Sequence, residues 1–359
     1  MITSMHIENF KCFKNFDIDL DDFNVLIGPN DSGKTAFLEA VRVMGSLASR
    51  PETPVEAEDL EHNTGIRLGR DCVWRLDTKA VVAIKTRSEE KPGTEKPEPF
   101  FMVLSGSIIN ADPGVRFFSY VGTDLGNRLS RQDALEWLKQ HIGSVRYHQF
   151  KPSCLRRPVA LSHDLDPDGL GLPAFLARLS LNHPEGRDAL QNAFRERFPF
   201  YTGVKIIPKK DGSNDVVHLR FQTAQGEELP ATSVSDGVMV SLGFLALAHD
   251  PESPGVLLVE EPENHVHHAS LKDIIGTLKE LSNDMGVQVV LTSHSPYLLD
   301  EVGPEEVYVF DKDVEGAVHA ARMSDHPEVE GLRRHFGTGE IWTGFESDKA
   351  IVEKTGEFE

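Results

Sequence analysis

The sequence predicts an α/β fold, in which helices flank a mixed central sheet and an inserted region adds further strands and helices. The first observation is a glycine-rich segment at residues 28–35, between an apolar run and a segment with helical spacing. The second is a pair of apolar runs, residues 256–259 and 287–291, which have the composition of buried parallel strands. The third is the length, because 359 residues exceed the roughly 250–300 at which one core stops growing.

The first predicted elements are a hairpin, a strand and a helix. Residues 7–10 and 16–20 alternate between apolar and polar side chains, as half-buried strands do. Residues 24–27 follow as a short buried strand, and residues 36–41 have helical spacing. The intervening residues 28–35 fit the pattern G-x-x-x-x-G-K-[ST], which therefore lies between a strand and a helix N terminus.

This phosphate loop, residues 28–35, suits a nucleoside triphosphate. Its glycines let backbone N–H groups close around a polyphosphate at a helix N terminus. Lys34 can reach the terminal phosphates, and the Thr35 hydroxyl can hold Mg²⁺. The predicted nucleotide-binding residues of the phosphate loop are Gly28, Asn30, Ser32, Gly33, Lys34 and Thr35.

The middle of the chain has weaker patterns. Two short basic clusters in the sequence could touch phosphates, but clusters this small are usually solvated surface. They are Arg156-Arg157 and Arg333-Arg334-His335. The expected elements are strands at 81–85 and 101–104 around an exposed loop at 86–99, a helix at 133–142, a helical region at 172–198, and a hairpin of residues 204–207 and 216–221 around a turn at 209–212.

Polar side chains suited to phosphate chemistry accompany the predicted strands of the last third. Glu260 and Glu261 end the apolar run 256–259; the first would bind Mg²⁺ through its water shell, and the second would orient or deprotonate the attacking water. His294 follows the run 287–291 and can hydrogen-bond a γ-phosphate or the attacking water. Ser235-Asp236-Gly237, the serine–glycine motif, opens a helical run and offers an anion site.

Composition restricts the classes of function. Lys and Arg total 37 against 57 Asp and Glu, and a net charge of −20 opposes the broad basic face of a stand-alone nucleic-acid binder. Three widely spaced cysteines indicate no disulfide framework and a reducing compartment. Without a signal-like or membrane-length apolar run, we expect a cytoplasmic protein that makes no membrane contact. No a/d heptad persists long enough for a long coiled coil.

In order and spacing, these segments resemble the ABC-type ATPases of the SMC/RecF kind, and most closely the AAA-family ATPases related to the OLD (overcoming lysogenization defect) nucleases. The resemblance covers roughly the first 45 residues and residues 231–311. Glu260 stands where many relatives have aspartate, which favours a water-mediated contact with Mg²⁺. The matching segments are residues 7–11, 28–35, 235–237, 260–264 and 292–296.

The resemblance implies a P-loop NTPase with an ABC-ATPase-like head formed by residues 1–50 and 231–325. Residues 51–230 would be an inserted β-rich and helical subdomain, and residues 326–359 a C-terminal extension. In such families two heads form a homodimer that sandwiches two ATP molecules. The residue roles that follow are Asn30 and Lys34 binding ATP in cis, Ser235 and Gly237 in trans, Glu261 as the catalytic carboxylate, His294 as the switch histidine, and Gln149 as the glutamine that contacts Mg²⁺ and water.

The function implied is an ATP-driven molecular switch that controls a partner effector, a nuclease or toxin, in phage defence or DNA maintenance. The alternatives are a RecF-like DNA repair ATPase and a low-turnover ATP-binding scaffold; the charge opposes the first, and Glu261 with His294 opposes the second. OLD nucleases carry a metal-binding Toprim domain after the ATPase. About 48 residues follow Asp311, fewer than the roughly 100 of such a domain, so we expect a separate chain to carry any nuclease.

Overall fold

The computed structural model of the chain describes residues 1–49, 55–56, 66, 79–88, 100–111, 114–123, 144–211 and 214–346. The chain divides into two compact units. The limits expected for the ATPase head, residues 1–50 and 231–325, coincide with neither unit, so that division stays a prediction. The first unit is Met1–Arg146, Pro254–Leu258 and Gly286–Glu359, and the second is Tyr147–Ser253 and Val259–Met285.

Strands and helices are distributed along the chain, and no helix among the described residues is long and apolar enough to cross a membrane. The strands are β1 (Ile2–Phe10), β2 (Phe13–Asp19), β3 (Phe23–Ile27), β4 (Val55–Glu56), β5 (Lys79–Ser88), β6 (Phe100–Ala111), β7 (Gly114–Thr123), β8 (Val145–His148), β9 (Val159–Ala160), β10 (Tyr201–Asp211), β11 (Asn214–Thr223), β12 (Glu228–Pro230), β13 (Val256–Glu260), β14 (Gln288–Ser293), β15 (Val307–Lys312) and β16 (Val318–Arg322). The helices are α1 (Lys34–Ser49), α2 (Pro152–Leu155), α3 (Leu172–Asn182), α4 (Pro184–Arg197), α5 (Asp236–Ala248), α6 (His268–Met285), α7 (Pro296–Leu299), α8 (Val329–Leu332) and α9 (Thr338–Glu346).

A mixed sheet lies at the centre of the first unit, as predicted. Its strand order is β16-β15-β3-β14-β13-β8. Residues 256–258 of β13 and 145–146 of β8 belong to this unit. Strand β3 pairs in parallel with β14 and β15, whereas β15 and β16 are antiparallel. All of β3 is buried, and the side-chain amide of its polar residue Asn24 donates to the carbonyls of Asp21 (2.7 Å) and Val289 (3.3 Å).

Four buried phenylalanines pack together beside the phosphate loop, two from the β2 region, one from α1 and one from β15. The ring centroids of Phe16 lie 4.6 Å from Phe13, 6.1 Å from Phe37 and 5.6 Å from Phe310. Tilted and edge-on aromatic pairs at these distances contribute about 0.5–1.5 kcal/mol beyond the burial of their area. The cluster therefore fixes the first turns of α1, which begins at Lys34 of the phosphate loop.

The first unit has a second sheet, in the order β2-β1-β5-β6-β7-β4. The predicted N-terminal hairpin is confirmed as β1 and β2, and the predicted strands at 81–85 and 101–104 lie within β5 and β6. The predicted loop at 86–99 was wrong for residues 86–88, which belong to β5, because backbone pairing with β6 does not require apolar side chains. Residues 89–99 and the predicted helix at 133–142 lie outside the described residues.

The second unit corrects the helical region expected at 172–198, which is two helices, α3 and α4. The break falls at His183, whose φ of −137° and ψ of 71° are not helical. Proline disfavours the helical conformation in the residue before it but is well suited to the first position of a helix. Pro184 therefore ends α3 and begins α4.

The predicted hairpin of the second unit is confirmed as β10 and β11, but its turn was predicted too early. The antiparallel register continues from Lys209 opposite Val216 to Asp211 opposite Asn214. Residues 209–211 therefore belong to β10. Lys209 and Lys210 are exposed, and solvated lysines at the end of a strand have the composition of a turn.

Candidate functional site

The phosphate loop connects the end of β3 to the start of α1, as its sequence requires. Gly28 has a φ of +154°, and a Cβ there would lie 2.1 Å from the Phe310 carbonyl oxygen. Gly33 has a φ of +98°, and a Cβ there would lie 2.7 Å from Cγ2 of Val318. Both backbone conformations and both close approaches exclude larger side chains. The two glycines of the motif are thus needed to form the loop itself.

Lys34 places its ammonium group inside the phosphate loop. The side chain is buried, and its Nζ donates to the carbonyls of Gly28 (2.9 Å) and Pro29 (2.8 Å) and to Oγ of Ser32 (3.2 Å). A buried ammonium requires such partners, because an unsolvated charge is costly. Thr35, the next residue of α1, is exposed. The loop therefore holds its cation at the helix N terminus, where phosphate oxygens bind favourably.

His294 lies beside the phosphate loop through strand pairing. Ser293, the last residue of β14, is opposite Ile27, the last residue of β3, in a parallel register. Neighbouring strands are about 4.8 Å apart, so Gly28 and His294 leave the same edge of the sheet from adjacent positions. The His294 side chain is exposed. The first unit therefore brings the phosphate loop and the predicted switch histidine together.

Two side chains beside the phosphate loop were missed by sequence reasoning, because both contacts are distant in sequence. Lys312, from β15, forms an ion pair with Asp31 (Nζ to Oδ2, 2.7 Å). Sγ of Cys12 lies 3.2 Å from the position that a Cβ on Gly33 would occupy. Burial raises the pKa of the Cys12 thiol, with Lys312 opposing the shift and Asp31 adding to it. The side chain therefore remains a neutral thiol against the loop at physiological pH.

Glu260 and Tyr147 form a hydrogen-bonded pair in the second unit. Glu260 is the last residue of β13 and is 8% exposed. The Tyr147 hydroxyl donates to Oε2 of Glu260. Tyr147 was missed as a site residue, because its partner is 113 positions away and a tyrosine in a strand ordinarily serves packing. The hydroxyl fixes the orientation of the carboxylate predicted to act on Mg²⁺.

Glu261 has a left-handed backbone conformation, with a φ of +48°. Such a conformation is uncommon outside glycine, asparagine and aspartate, and it turns the chain sharply after β13. Nδ2 of Asn264 donates to Oε2 of Glu261 (2.6 Å), and the Asn264 backbone N–H donates to the Glu261 carbonyl (3.0 Å). The turn thus follows β13 directly, and the Asn264 side chain holds the Glu261 carboxylate in it.

The serine–glycine motif lies at the N terminus of α5, as predicted. Ser235 is the N-cap residue, with extended backbone, and it is exposed. Its hydroxyl makes no capping hydrogen bond to the helix within the described residues, although serine commonly does so at this position. A Cβ on Gly237 would make no clash, since its nearest neighbour, the His265 carbonyl oxygen, would lie at van der Waals distance, 3.7 Å. The motif therefore presents a hydroxyl and helix N–H groups to solvent.

Gln149 directly follows β8 and is half buried. Its backbone N–H donates to the Pro167 carbonyl (2.8 Å), so the chain is held in place there. Gln149 is two residues beyond Tyr147, and positions two apart share one side of an extended chain. The second unit thus contains the predicted glutamine, both carboxylates and the serine–glycine motif, while the first contains the phosphate loop and His294. Their joint action stays a prediction.

Two of the predicted Mg²⁺ ligands, Thr35 and Glu260, each have a side-chain oxygen of the kind that a nucleotide-bound Mg²⁺ takes. Within the described part of the chain, no group of three or more His, Cys, Asp or Glu side chains is arranged to hold a metal ion. Mg²⁺ bound with a nucleotide needs less, because it keeps several waters and takes one or two protein ligands besides the phosphates. The exposed Thr35 hydroxyl and the oriented Glu260 carboxylate are oxygen donors of that kind.

Two family models match the chain. One is described as "AAA domain, putative AbiEii toxin, Type IV TA system" and matches residues 105–300, more than half of the sequence. The other is described as "AAA ATPase domain" and matches residues 1–97. The matched regions contain the phosphate loop, the serine–glycine motif, both carboxylates and His294.

The chain is also similar to one curated protein and to solved structures. The OLD nuclease of Thermus scotoductus (strain ATCC 700910 / SA-01) is 22% identical in an alignment 376 positions long, gaps included, which covers 94% of this chain and 68% of that protein. An SMC head bound to the C-winged helix domain of ScpA superimposes with a TM-score of 0.59 at 16% identity, over 89% of this chain and 96% of that one. An Smc head domain with an extended coiled coil, bound to the C-terminal domain of ScpA derived from Pyrococcus furiosus, superimposes with a TM-score of 0.56 at 13% identity. The superposition covers 93% of this chain and 99% of that one. These likenesses confirm the predicted fold, that of a P-loop ATPase head.

We expect Tyr147→Phe to weaken Mg²⁺ binding in the presence of ATP by about tenfold, because outer partners that orient a carboxylate typically contribute this much to metal affinity. Titration of the ATP-loaded protein with Mn²⁺, followed by electron paramagnetic resonance, measures the affinity. Tyr201→Phe, in an aromatic cluster of the same unit, is the matched control. Equal affinities in the two variants would show that the Tyr147 hydroxyl does not prepare Glu260.

Proposed function

We propose that the chain is an ATP-hydrolysing molecular switch. It belongs to the AAA domain family whose model matches residues 105–300, as an ABC-type ATPase of the SMC/RecF kind related to OLD proteins. One observation carries the proposal. The phosphate loop is fully formed at the end of β3, with Lys34 inside it and His294 at the neighbouring strand end. This arrangement supports binding of a triphosphate and contact with its terminal phosphate.

Hydrolysis assigns a task to each predicted residue. Asn30, Lys34 and the loop N–H groups bind the phosphates, while Glu261 accepts a proton from the attacking water. The water oxygen bonds to the γ-phosphorus as the bond to the ADP oxygen breaks, and His294 contacts the phosphate that leaves. Thr35, Glu260 and Gln149 would hold Mg²⁺, which neutralises charge on the β- and γ-phosphates when bound.

We further propose that two copies of the chain close on ATP as a homodimer. In this arrangement Ser235 and Gly237 contact the γ-phosphate bound by the phosphate loop of the other copy. The exposed N-cap position of Ser235, with its hydroxyl outside the helix cap, supports this role. A dimer that forms with ATP and opens after hydrolysis converts nucleotide state into a change of assembly.

The output of the switch, in this proposal, is control of a separate effector protein, a nuclease or toxin, in phage defence or DNA maintenance. The similarity to an OLD nuclease and the family description support this setting. Both SMC heads with a similar fold were solved with another protein, ScpA, bound. The net charge of −20 favours a protein partner over naked DNA.

Lys34→Ala and Glu261→Gln should separate binding from hydrolysis. Lys34→Ala removes the buried cation, so we expect it to abolish tight ATP binding in equilibrium titrations with a fluorescent analogue. Glu261→Gln should bind normally and slow phosphate release by roughly 10²–10⁴-fold, the usual contribution of a general base, and it should accumulate a dimer in light scattering. Lys14→Ala, an exposed lysine of the same unit, is the control for the first variant. Parental turnover by Glu261→Gln would assign the base to another residue.

Mixing two inactive variants tests the composite site. Ser235→Arg should fill the neighbouring copy's phosphate site while leaving its own phosphate loop intact. In a heterodimer with Lys34→Ala, one of the two composite sites is whole. We therefore expect each heterodimer to have about half the ATPase activity of a parental dimer, and a randomly paired mixture at equal stoichiometry to have about a quarter. Absence of recovery at every ratio contradicts independent composite sites.

The charge predicts weak binding to naked duplex DNA. With 37 basic against 57 acidic residues, few cations are available to displace counterions from the phosphate backbone. We expect micromolar or weaker affinity at physiological salt, with or without ATP, measured by fluorescence anisotropy of a labelled duplex. Tight, salt-sensitive binding by the purified chain alone would instead support the RecF-like repair ATPase.

A further inference from the structure

Arg156 contacts the backbone before Ser235 and the side chain of Asp236 after it. Its Nε donates to the Ala231 carbonyl (3.0 Å), and its Nη2 donates to the Val234 carbonyl (2.7 Å). The same Nη2 lies 2.6 Å from Oδ1 of Asp236. The Arg156 side chain is only 16% exposed, whereas its neighbour Arg157 is exposed. The interpretation of this arginine pair as solvated surface was therefore wrong for its first member.

A guanidinium suits this task because its donors have fixed directions in one plane. Two backbone carbonyls accept from it, and carbonyls cannot rotate away as flexible side chains can. The charged contact with Asp236 adds a second anchor at the first residue of α5. Nδ1 of His265 lies 3.9 Å from the other carboxylate oxygen, Oδ2. Arg156 thus fixes the bend at Ser235, where the extended backbone ends and α5 begins.

The segment that carries Arg156 begins at Gln149 and is itself held in place by contacts within the second unit. The backbone N–H of Lys151 donates to the Asp168 carbonyl (2.9 Å), as that of Gln149 does to Pro167. The Phe150 ring packs on Phe244 of α5, with centroids 5.0 Å apart. Gly243 permits this contact, since a Cβ there would lie 2.8 Å from the Phe150 ring. Residues 149–156, the glutamine segment, are therefore anchored to the same helix that the motif begins.

We propose that Arg156 is a positioning residue that joins the glutamine segment to the serine–glycine motif. By holding residues 231–236, it places the Ser235 hydroxyl and the N–H groups of α5 for the γ-phosphate of the other copy. This inference rests on the proposed function.

Amide hydrogen exchange tests the positioning without any turnover. In Arg156→Ala we expect residues 232–238 to exchange at least about tenfold faster than in the parent, since the local opening loses three contacts. Arg157→Ala, one position along and exposed, should leave these amides unchanged. Unchanged exchange in a folded Arg156→Ala overturns the proposal. If Arg156→Ala does not fold, Asp236→Asn removes the ion pair but keeps both carbonyl contacts, and it should accelerate the same amides less.

Mixing experiments decide on which nucleotide Arg156 acts. If it acts through Ser235, Arg156→Ala should recover ATPase activity when mixed with Lys34→Ala but not when mixed with Ser235→Arg. The reason is that Arg156→Ala and Ser235→Arg would both be defective in the serine–glycine motif. Recovery with Ser235→Arg alone would assign Arg156 to its own copy's nucleotide and overturn the trans role. Lys34→Ala with Ser235→Arg is the reference mixture. Its failure contradicts the independent composite sites and the trans role together, while hydrogen exchange still decides whether Arg156 orders the motif.

The conservative variant separates positioning from simple charge. Arg156→Lys keeps the positive charge but has a single ammonium in place of the planar fork. We expect it to keep the parental melting temperature within a few degrees and the parental affinity for ATP, while the maximal turnover falls by roughly tenfold or more. Parental turnover in Arg156→Lys would show that charge alone suffices and would overturn the positioning role.

Discussion

The parallel pairing of β3 with β14 is the constraint on which the site in the first unit depends. Parallel strands end at the same edge of a sheet, so the residues that follow Ile27 and Ser293 leave from adjacent positions. One of these is Gly28 of the phosphate loop, and the other is His294. Buried apolar side chains hold the register, because a slip would misplace every one of them. The packing of the buried side chains of β3 and β14 thus determines which residues meet at the edge of the sheet.

Local features of this protein were predicted well from the sequence, since each has a local physical cause. The phosphate loop contains its own glycines, the strand before it is uniformly apolar, and the fold followed from these patterns. The break at Pro184 was also written in the sequence, although helical spacing on both sides concealed it. The turn expected at residues 209–212 failed because polarity alone marks solvent exposure as well as turns.

Contacts between distant positions were beyond sequence reasoning. Tyr147 meets Glu260 across 113 positions, and Arg156 meets Val234 across 78. Neither residue belongs to a motif, and each is of a type that usually serves packing or solvation. Their roles follow only from the structure, in which both lie beside residues that the motifs had identified. A motif therefore names the groups that touch the ligand, while the groups that orient them emerge from the fold.

The internal contacts of Lys34 have a consequence for nucleotide selection. Because its ammonium already has oxygen partners, a ligand gains from this residue only by exchanging those oxygens for stronger acceptors. Phosphate oxygens meet that condition, and the hydroxyls of a nucleoside do not. Lys34 therefore selects ligands by how well their oxygens compete with the loop oxygens for its ammonium group. In that competition the negative charge of the phosphates matters more than the shape of the base.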